Sequence, residues 1–523
     1  MKIILSFFLT LFGFCALAQD IDVQHYKYDL MLSDATDKVR GEAEITVTVK
    51  PGVKNITLDF VQQNAAGKGM KVEKVTGTGV SSFSQKENHL TISLAKPAAK
   101  EQEVVATIIY SGIPADGLII SKNKYGERTF FSDNWPNRAH NWIPCIDRPD
   151  DKATFEFIVT APDHYEVVSN GKKTEETALS ENRKRTHWVE DVSLPSKVMV
   201  IGVARFAVKQ FDDSPAEVPV SAWVYPQDST KGFYDYGIAP SILKFFSSYI
   251  APYPYNKLAN VQSKTIFGGM ENASSIFYAE SLVTGDLKNE DVIAHEIAHQ
   301  WFGDMASEKS FAHLWLSEGF ATYMTDLYFE KTYGIDAANN RLRKERNEVI
   351  EFMQKTNHPV VDSTTNLMSL LNANSYQKGA WILHMLRKEV GDSTFHQIIQ
   401  TYYQQYKGGN ADTRDLEKIA EKVSGKDLKR FFDQWLYLPG IPSLKLQWHY
   451  ENGMLDIDVQ QTGKNIYRFP LTIACHTNTG WNFTTLNIAN QKENISVQLG
   501  ARPTELILDP HVSLLFEGSV SEK

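Results

Sequence analysis

Apolar and polar residues alternate along the first part of the chain. Ala43, Ile45, Val47 and Val49 are interleaved with Glu42, Glu44, Thr46 and Thr48. Ile56, Leu58 and Phe60 repeat the pattern, as do Leu90, Ile92 and Leu94, and it continues through residues 155–159 and 198–208. A period of two, broken by Gly, Pro and Asn clusters, predicts half-buried antiparallel strands. The expected first domain is an antiparallel β domain over residues 19–212. After Asp212-Asp213-Ser214-Pro215 the period lengthens. Helices are predicted over 238–250, 290–302, 317–333, 337–356 and 376–390, with shorter ones at 415–423 and 428–436. Residues 213–438 thus read as a mostly helical domain with a few strands at its start. From Pro439 alternation returns: Leu444, Leu446, Trp448 and Tyr450, then Asn452-Gly453, then Leu455, Ile457 and Val459. Asn-Gly between two such runs signals a hairpin. Tyr467, Phe469, Leu471, Ile473 and Cys475 form a further strand, so residues 439–523 suit a small β-sandwich. The expected fold class is multidomain α+β, and no internal repeat is visible.

The beginning of the chain departs from these patterns. Lys2 is followed by an almost wholly apolar run and by Ala16-Leu17-Ala18, the form of a secretory signal peptide over residues 1–18. An uncleaved anchor is the alternative, but the run is shorter than the ~20 residues of a spanning helix. Phe14 before Cys15 argues against a lipid anchor there. The mature chain is expected to be exported, periplasmic or extracellular, with no membrane span. The full chain's formal charge of −9 speaks against a broad phosphate-binding surface, so no nucleic-acid partner is expected. Three cysteines in 523 residues are too few for a disulfide scaffold. Cys475 continues an apolar series as a core thiol would, and a bridge to Cys145 is not expected.

The chemistry-bearing residues lie in the middle region. Residues 295–299 read His-Glu-Ile-Ala-His. On a helix, positions four apart share a face, so His295 and His299 can hold one zinc ion while Glu296 reaches an activated water. Two surface or core histidines are the bland alternative. Glu318 follows His299 after an eighteen-residue spacer and opens the next predicted helix. Two His and one carboxylate leave a fourth position open, as catalytic zinc requires. Metal-assisted amide hydrolysis is the expected class, with Glu296 carrying the proton from water to the leaving amine. Upstream, Gly268 and Gly269 allow close backbone approach, and Glu271 can bind an ammonium. Taken alone they are most often a turn. Downstream, Tyr376 can donate to a developing oxyanion, or serve as a core aromatic.

Together these residues resemble the zinc aminopeptidases of the aminopeptidase N family, which also contains leukotriene hydrolase. The pattern runs from Gly268, Gly269, Met270, Glu271 and Asn272, through His295, His299 and Glu318, to Tyr376-Gln377-Lys378-Gly379. Pro144-Cys145-Ile146-Asp147-Arg148-Pro149 is a weaker match. The resemblance implies a thermolysin-like catalytic domain between two β domains and one zinc ion on His295, His299 and Glu318. It implies Glu296 as general base and acid and Tyr376 as oxyanion donor. Gly268, Gly269, Met270, Glu271 and Asn272 would bind the substrate, with Glu271 on the free α-amine of a peptide. The chain departs from the family at Asp133-Asn134-Trp135, at Ala139-His140, at Asp304 in place of Asn, and at Thr325 in place of a Glu, next to Asp326. The helical C-terminal domain of larger members is expected to be absent.

The leading expectation is an exported zinc aminopeptidase. The alternatives are a zinc endopeptidase, for which Glu271 would have no use, and a peptide-binding protein without catalysis. His140, His313 and His384 are expected to be structural. The Asn-x-Ser/Thr match at Asn272 is expected to be accidental, since a glycan there would fill the peptide site.

Overall fold

The computed structural model describes residues 20–214 and 218–523. The expected signal peptide, residues 1–18, lies outside the described residues, as does Pro215. The chain forms an N-terminal β region, a helical middle and a C-terminal β region.

The N-terminal region is built on a seven-stranded sheet, with a four-stranded and a three-stranded sheet beside it. The strand Val39–Val49 buries Ala43, Ile45, Val47 and Val49, as its alternation dictates. Pairing in the large sheet is antiparallel except between Ile21–Met31 and Lys152–Pro162, which run parallel. That pair is far apart in sequence and no period-two pattern reports its direction.

The middle region begins with a five-stranded sheet. Ala207–Phe211 pairs antiparallel with Val220–Val224, which is parallel to Leu258–Ser263, itself parallel to Ser275–Ala279. Parallel neighbours need a crossover. Helices α1 (Ser229–Asp235) and α2 (Ala239–Tyr249) supply the first one. The outermost strand, Gly269–Met270, is short and runs antiparallel to Ser275–Ala279. Then follow α3 (Glu290–His299), α4 (Trp315–Tyr333), α5 (Ile335–Met353), α6 (Gly379–Val390), α7 (Asp392–Tyr406) and α8 (Thr413–Ser424). Helix α4 packs against α3, α5 and α6, and its first fourteen residues are all buried. A helix hydrophobic all round belongs in the core.

Three predicted helices change character, one of them that at 428–436, which is α-helical over Lys429–Phe432 and then a π-helical turn, Asp433–Tyr437. The one expected over 290–302 ends at His299, after which Gln300 and Trp301 bond three residues back and Phe302 bridges Ala306. The one expected from Tyr376 begins as a π-helical turn, Asn374–Lys378, before α6. Helix α7 was not expected. Its Phe395, Ile398, Ile399, Tyr402 and Tyr403 bury one face, although aromatic and β-branched residues are poor helix formers. Burial outweighs propensity there.

The C-terminal region has a four-stranded and a three-stranded sheet. Ser443–Glu451 and Met454–Gln461 form the predicted hairpin, with Asn452 and Gly453 both at positive φ. Its core is continuous with that of the helical region. The core of the N-terminal region extends instead into the middle sheet, taking in Met270, Ala273 and Phe277. Cys145 and Cys475 are buried and unbridged.

Candidate active site

Helix α3 carries His295 and His299 on one face, and the first turn of α4 brings Glu318 to them. The His295 and His299 Nε2 atoms are 3.0 Å apart. Glu318 Oε2 is 3.3 Å from the first and 3.2 Å from the second. Tetrahedral zinc with ~2.0–2.1 Å bonds spaces its ligand atoms about 3.3 Å apart. Two imidazole nitrogens facing each other at 3.0 Å repel unless a proton or a cation lies between them. His299 Nδ1 lies 3.0 Å from the Phe302 carbonyl and donates to it, which leaves the Nε2 lone pair facing the triangle. Among the described residues this is the one cluster whose donor atoms converge in this way.

The charges around the triangle make the same demand. Burial would lower His299, but Glu318, Glu271 and Glu296 outweigh it and push the imidazole up to about 10. Burial would raise Glu318, yet the two imidazoles hold it well below the usual carboxylate range. Burial itself lowers His295. Three buried carboxylates around two imidazoles thus call for positive charge at the Nε2/Oε2 triangle, and the donor set fits zinc.

A cavity of about 410 Å³ opens over the triangle and is lined by Gly268, Gly269, Met270, Glu271, Glu296 and Tyr376 among others. Asn272 is buried and is not among its lining residues. The Asn272 sequon is therefore inaccessible in the folded chain.

Glycine is required where the strand Gly269–Met270 passes α3. A Cβ on Gly269 would lie 2.0 Å from Glu296 Oε1. The absent side chain is the space the Glu296 carboxylate occupies. Burial, then Glu271 and Glu318, push Glu296 far above its usual pKa, while His299 opposes this. The same strand is the edge of its sheet, so backbone groups on its outer side are free for an extended chain. No comparable reason for glycine is found at Gly268, where a Cβ would meet open space.

Glu271 follows that strand. It is buried, its Oε1 has no hydrogen-bond donor, and burial raises its pKa. Gln300 clamps its backbone: Nε2 donates to the Glu271 carbonyl at 2.7 Å, and Oε1 accepts from the Ser274 N–H at 2.7 Å. Gln300 also donates to Asp304 Oδ2 at 3.0 Å. So Asp304, in place of the family's Asn, still accepts this bond. Behind it the buried Lys197 of the N-terminal region donates to Glu308 Oε1 at 2.6 Å and faces Glu271 electrostatically. Gln300 and Lys197 were not singled out from sequence. Gln300 borders the motif and could have been, whereas nothing local marks Lys197.

Tyr376 lies in the π-helical turn, its ring stacked at 5.8 Å on His295. Burial and then Glu318, Glu271 and Glu296 push its hydroxyl upward, so it stays protonated and able to donate. Its position depends on a backbone crossing. A Cβ on Gly319 would lie 2.8 Å from Gly379 Cα, so α4 and α6 touch where neither bears a side chain.

The family departures have local explanations. Asp133 is buried, accepts from Arg138 at 2.6 Å and from the Ile266 N–H at 2.9 Å, and so anchors the loop before Gly268. Trp135 lines the cavity with its ring 5.8 Å from Phe267. Thr325 donates back to Ala321 at 2.9 Å, and Asp326 accepts from Arg341 at 2.8 Å instead of bonding a histidine. His140 bonds Asp147, His313 bonds Thr413, and His384 bonds Val512 and Tyr323, all in structural roles.

Comparison with known proteins agrees with this geometry. Residues 23–198 match the peptidase M1 N-terminal domain and residues 234–435 the peptidase family M1 domain. The chain belongs to peptidase family M1. It is 28% identical to "Probable aminopeptidase 2" of Sulfurisphaera tokodaii over 69% of this chain and 48% of that protein. It is 28% identical to human glutamyl aminopeptidase over 60% of this chain and 34% of that one. A solved structure of Legionella pneumophila aminopeptidase A in complex with aspartic acid superposes with a TM-score of 0.81. That match has 18% identity and covers 97% of this chain and 60% of the other. The chain spans about half the length of the first of these relatives.

Proposed function

We propose that the protein is an exported zinc aminopeptidase that removes the N-terminal residue from peptides. The observation that carries this is the triangle of His295, His299 and Glu318 beneath a cavity that also holds Glu271, whose buried Oε1 has no donor. Zinc held by those three residues would supply a Lewis acid that polarises the scissile carbonyl and acidifies an attacking water. Glu296 takes the proton from the water and hands it to the leaving nitrogen. Its raised pKa suits it to holding that proton between the two steps. Glu271 accepts hydrogen bonds from the substrate's α-ammonium and so sets the cut one residue from the end. Tyr376 donates to the oxyanion. The edge strand Gly269–Met270 aligns the peptide through its backbone. Among the described residues no helix is long and apolar enough to cross a membrane. Export rests on the signal-like residues 1–18.

The test is a panel of aminoacyl anilides and peptides with free and N-acetylated termini, with and without chelator. Chelator-sensitive cleavage of free termini alone is expected. Equal cleavage of acetylated peptides would favour an endopeptidase and refute the role of Glu271.

A further inference from the structure

The cavity has two chemically different ends. At one, Glu271 sits with Trp135, Phe267 and Leu371. At the other, α5 presents Arg341, Glu345 and Glu348 opposite Asp291 of α3. The imidazoles lie between: Gln300, which holds the Glu271 carbonyl, directly follows His299, whereas Asp291, 3.4 Å from Arg341, lies one turn before His295. A peptide with its ammonium at Glu271 and its first carbonyl over the triangle therefore directs its leaving side toward α5. We propose that this end is a subsite for a positively charged side chain, lysine or arginine, on the residue after the scissile bond. The proposal rests on the aminopeptidase reading of the site.

The wall carries more negative charge than its own cations use. Arg341 is already matched, with Nε on Asp326 Oδ1 at 2.8 Å, Nη1 3.4 Å from Asp291 and its guanidinium 4.6 Å from the Phe329 ring centre. The Lys344 side chain is 79% exposed and reaches only to 3.8 Å from Glu348, so it is free to swing into solvent. Glu345 is 6% exposed and lines the cavity; its carboxyl bonds that of Asp326, and its Oε1 lies 4.0 Å from Arg341 Nη2. Asp326 itself does not line the cavity. Two buried carboxyls in contact share a proton or accept a cation. Even with one shared proton, Asp291, Asp326, Glu345 and Glu348 outweigh Arg341 and Lys344.

The floor between the triangle and this wall suits the stem of such a side chain. Val292, Thr322 and Thr325 line it. Both threonine hydroxyls are spent on their own helix, donating to the Glu318 and Ala321 carbonyls at 2.8 and 2.9 Å. Lysine and arginine lay a methylene stem on apolar surface and keep the charged head in a polar setting. An acidic side chain here would face Asp291, Glu345 and Glu348.

The test compares kcat/KM of the zinc-loaded enzyme on Leu-Lys, Leu-Arg, Leu-Met and Leu-Glu. One partly buried ion pair predicts an advantage of about five- to tenfold for Lys and Arg over Met, with Glu lowest. In Glu348→Lys, a change at a half-exposed position, the Lys-to-Met ratio should fall to one or below, and in Asp291→Asn, which removes one charge from the facing helix, it should fall toward one. Because each ratio is taken on the same preparation, partial loss of folded enzyme does not alter it. Equal rates for Leu-Lys and Leu-Met, or a ratio unmoved by both variants, overturns the subsite. Absence of chelator-sensitive cleavage of every dipeptide and of leucine anilide overturns the aminopeptidase reading itself, and the subsite with it.

Discussion

Gly269→Ala separates folding from catalysis. Gly269 is in an extended strand and not in the left-handed region, so alanine is conformationally acceptable there. Its Cβ would nevertheless lie 2.0 Å from Glu296 Oε1, 2.4 Å from Cδ and 2.6 Å from Cγ, where ordinary contact begins at 3.4 Å. The carboxylate must therefore retreat by about 1.4 Å, and as the end of a flexible side chain it can do so at small cost to the fold. The reaction is less tolerant. A general base works within about 2.6–3.2 Å of the proton it takes. A misplacement of about 1 Å costs about 10²-fold. The expected outcome is kcat reduced about 10²-fold, zinc content of one per chain retained, and a thermal midpoint within a few degrees of the parent. Leucine anilide kinetics, atomic absorption and a thermal melt read the three quantities. Undiminished kcat would refute the reasoning, because Glu296 would then act from elsewhere. Loss of zinc would show that the strand supports the ligands rather than the base.

Other expectations follow from the same geometry. Glu296→Gln should keep zinc and lower kcat by about 10²–10⁴-fold, and a metal-free variant would contradict the assignment of roles. Tyr376→Phe should lower kcat by about 10²–10³-fold with little change in KM, and an effect on KM alone would mean that the hydroxyl binds substrate without serving the oxyanion. Burial lowers His384 to about 3. As pH falls, the unfolded chain takes up this proton near 6.5 while the folded chain does not. The His384 contribution is therefore intact above pH 6.5 and is lost progressively down to about 3, at up to about 1.4 kcal/mol per pH unit. Urea unfolding of His384→Gln between pH 6 and 4 should show a shallower fall in stability, by up to one proton. An unchanged slope would sink the claim.

Much of the architecture was legible in the chain because the signals are local. Alternation reported the strands, and Asn452-Gly453 the hairpin. His295 and His299 share a helical face by spacing alone. The misreadings also have local causes. Helix α7 was hidden by residues that favour strands, and the run after His299 kept an apolar pattern while its hydrogen bonds tightened into a turn.

By itself, the sequence determined which groups could do chemistry: two imidazoles one helical turn apart, a carboxylate on the next helix, a glutamate after two glycines, and a tyrosine. Those are properties of residue type and short spacing. Only the tertiary structure decided that they converge. Glu318 reaches the imidazoles because α4 packs on α3. Tyr376 stacks on His295 because Gly319 and Gly379 let two helices touch. Glu296 has room because Gly269 has no side chain, and Glu271 is held by Gln300 from the far end of α3. The acidic wall on α5 is the clearest case. Asp291, Glu345 and Glu348 are scattered among many surface charges in the sequence, and only packing turns them toward one cavity and buries Glu345.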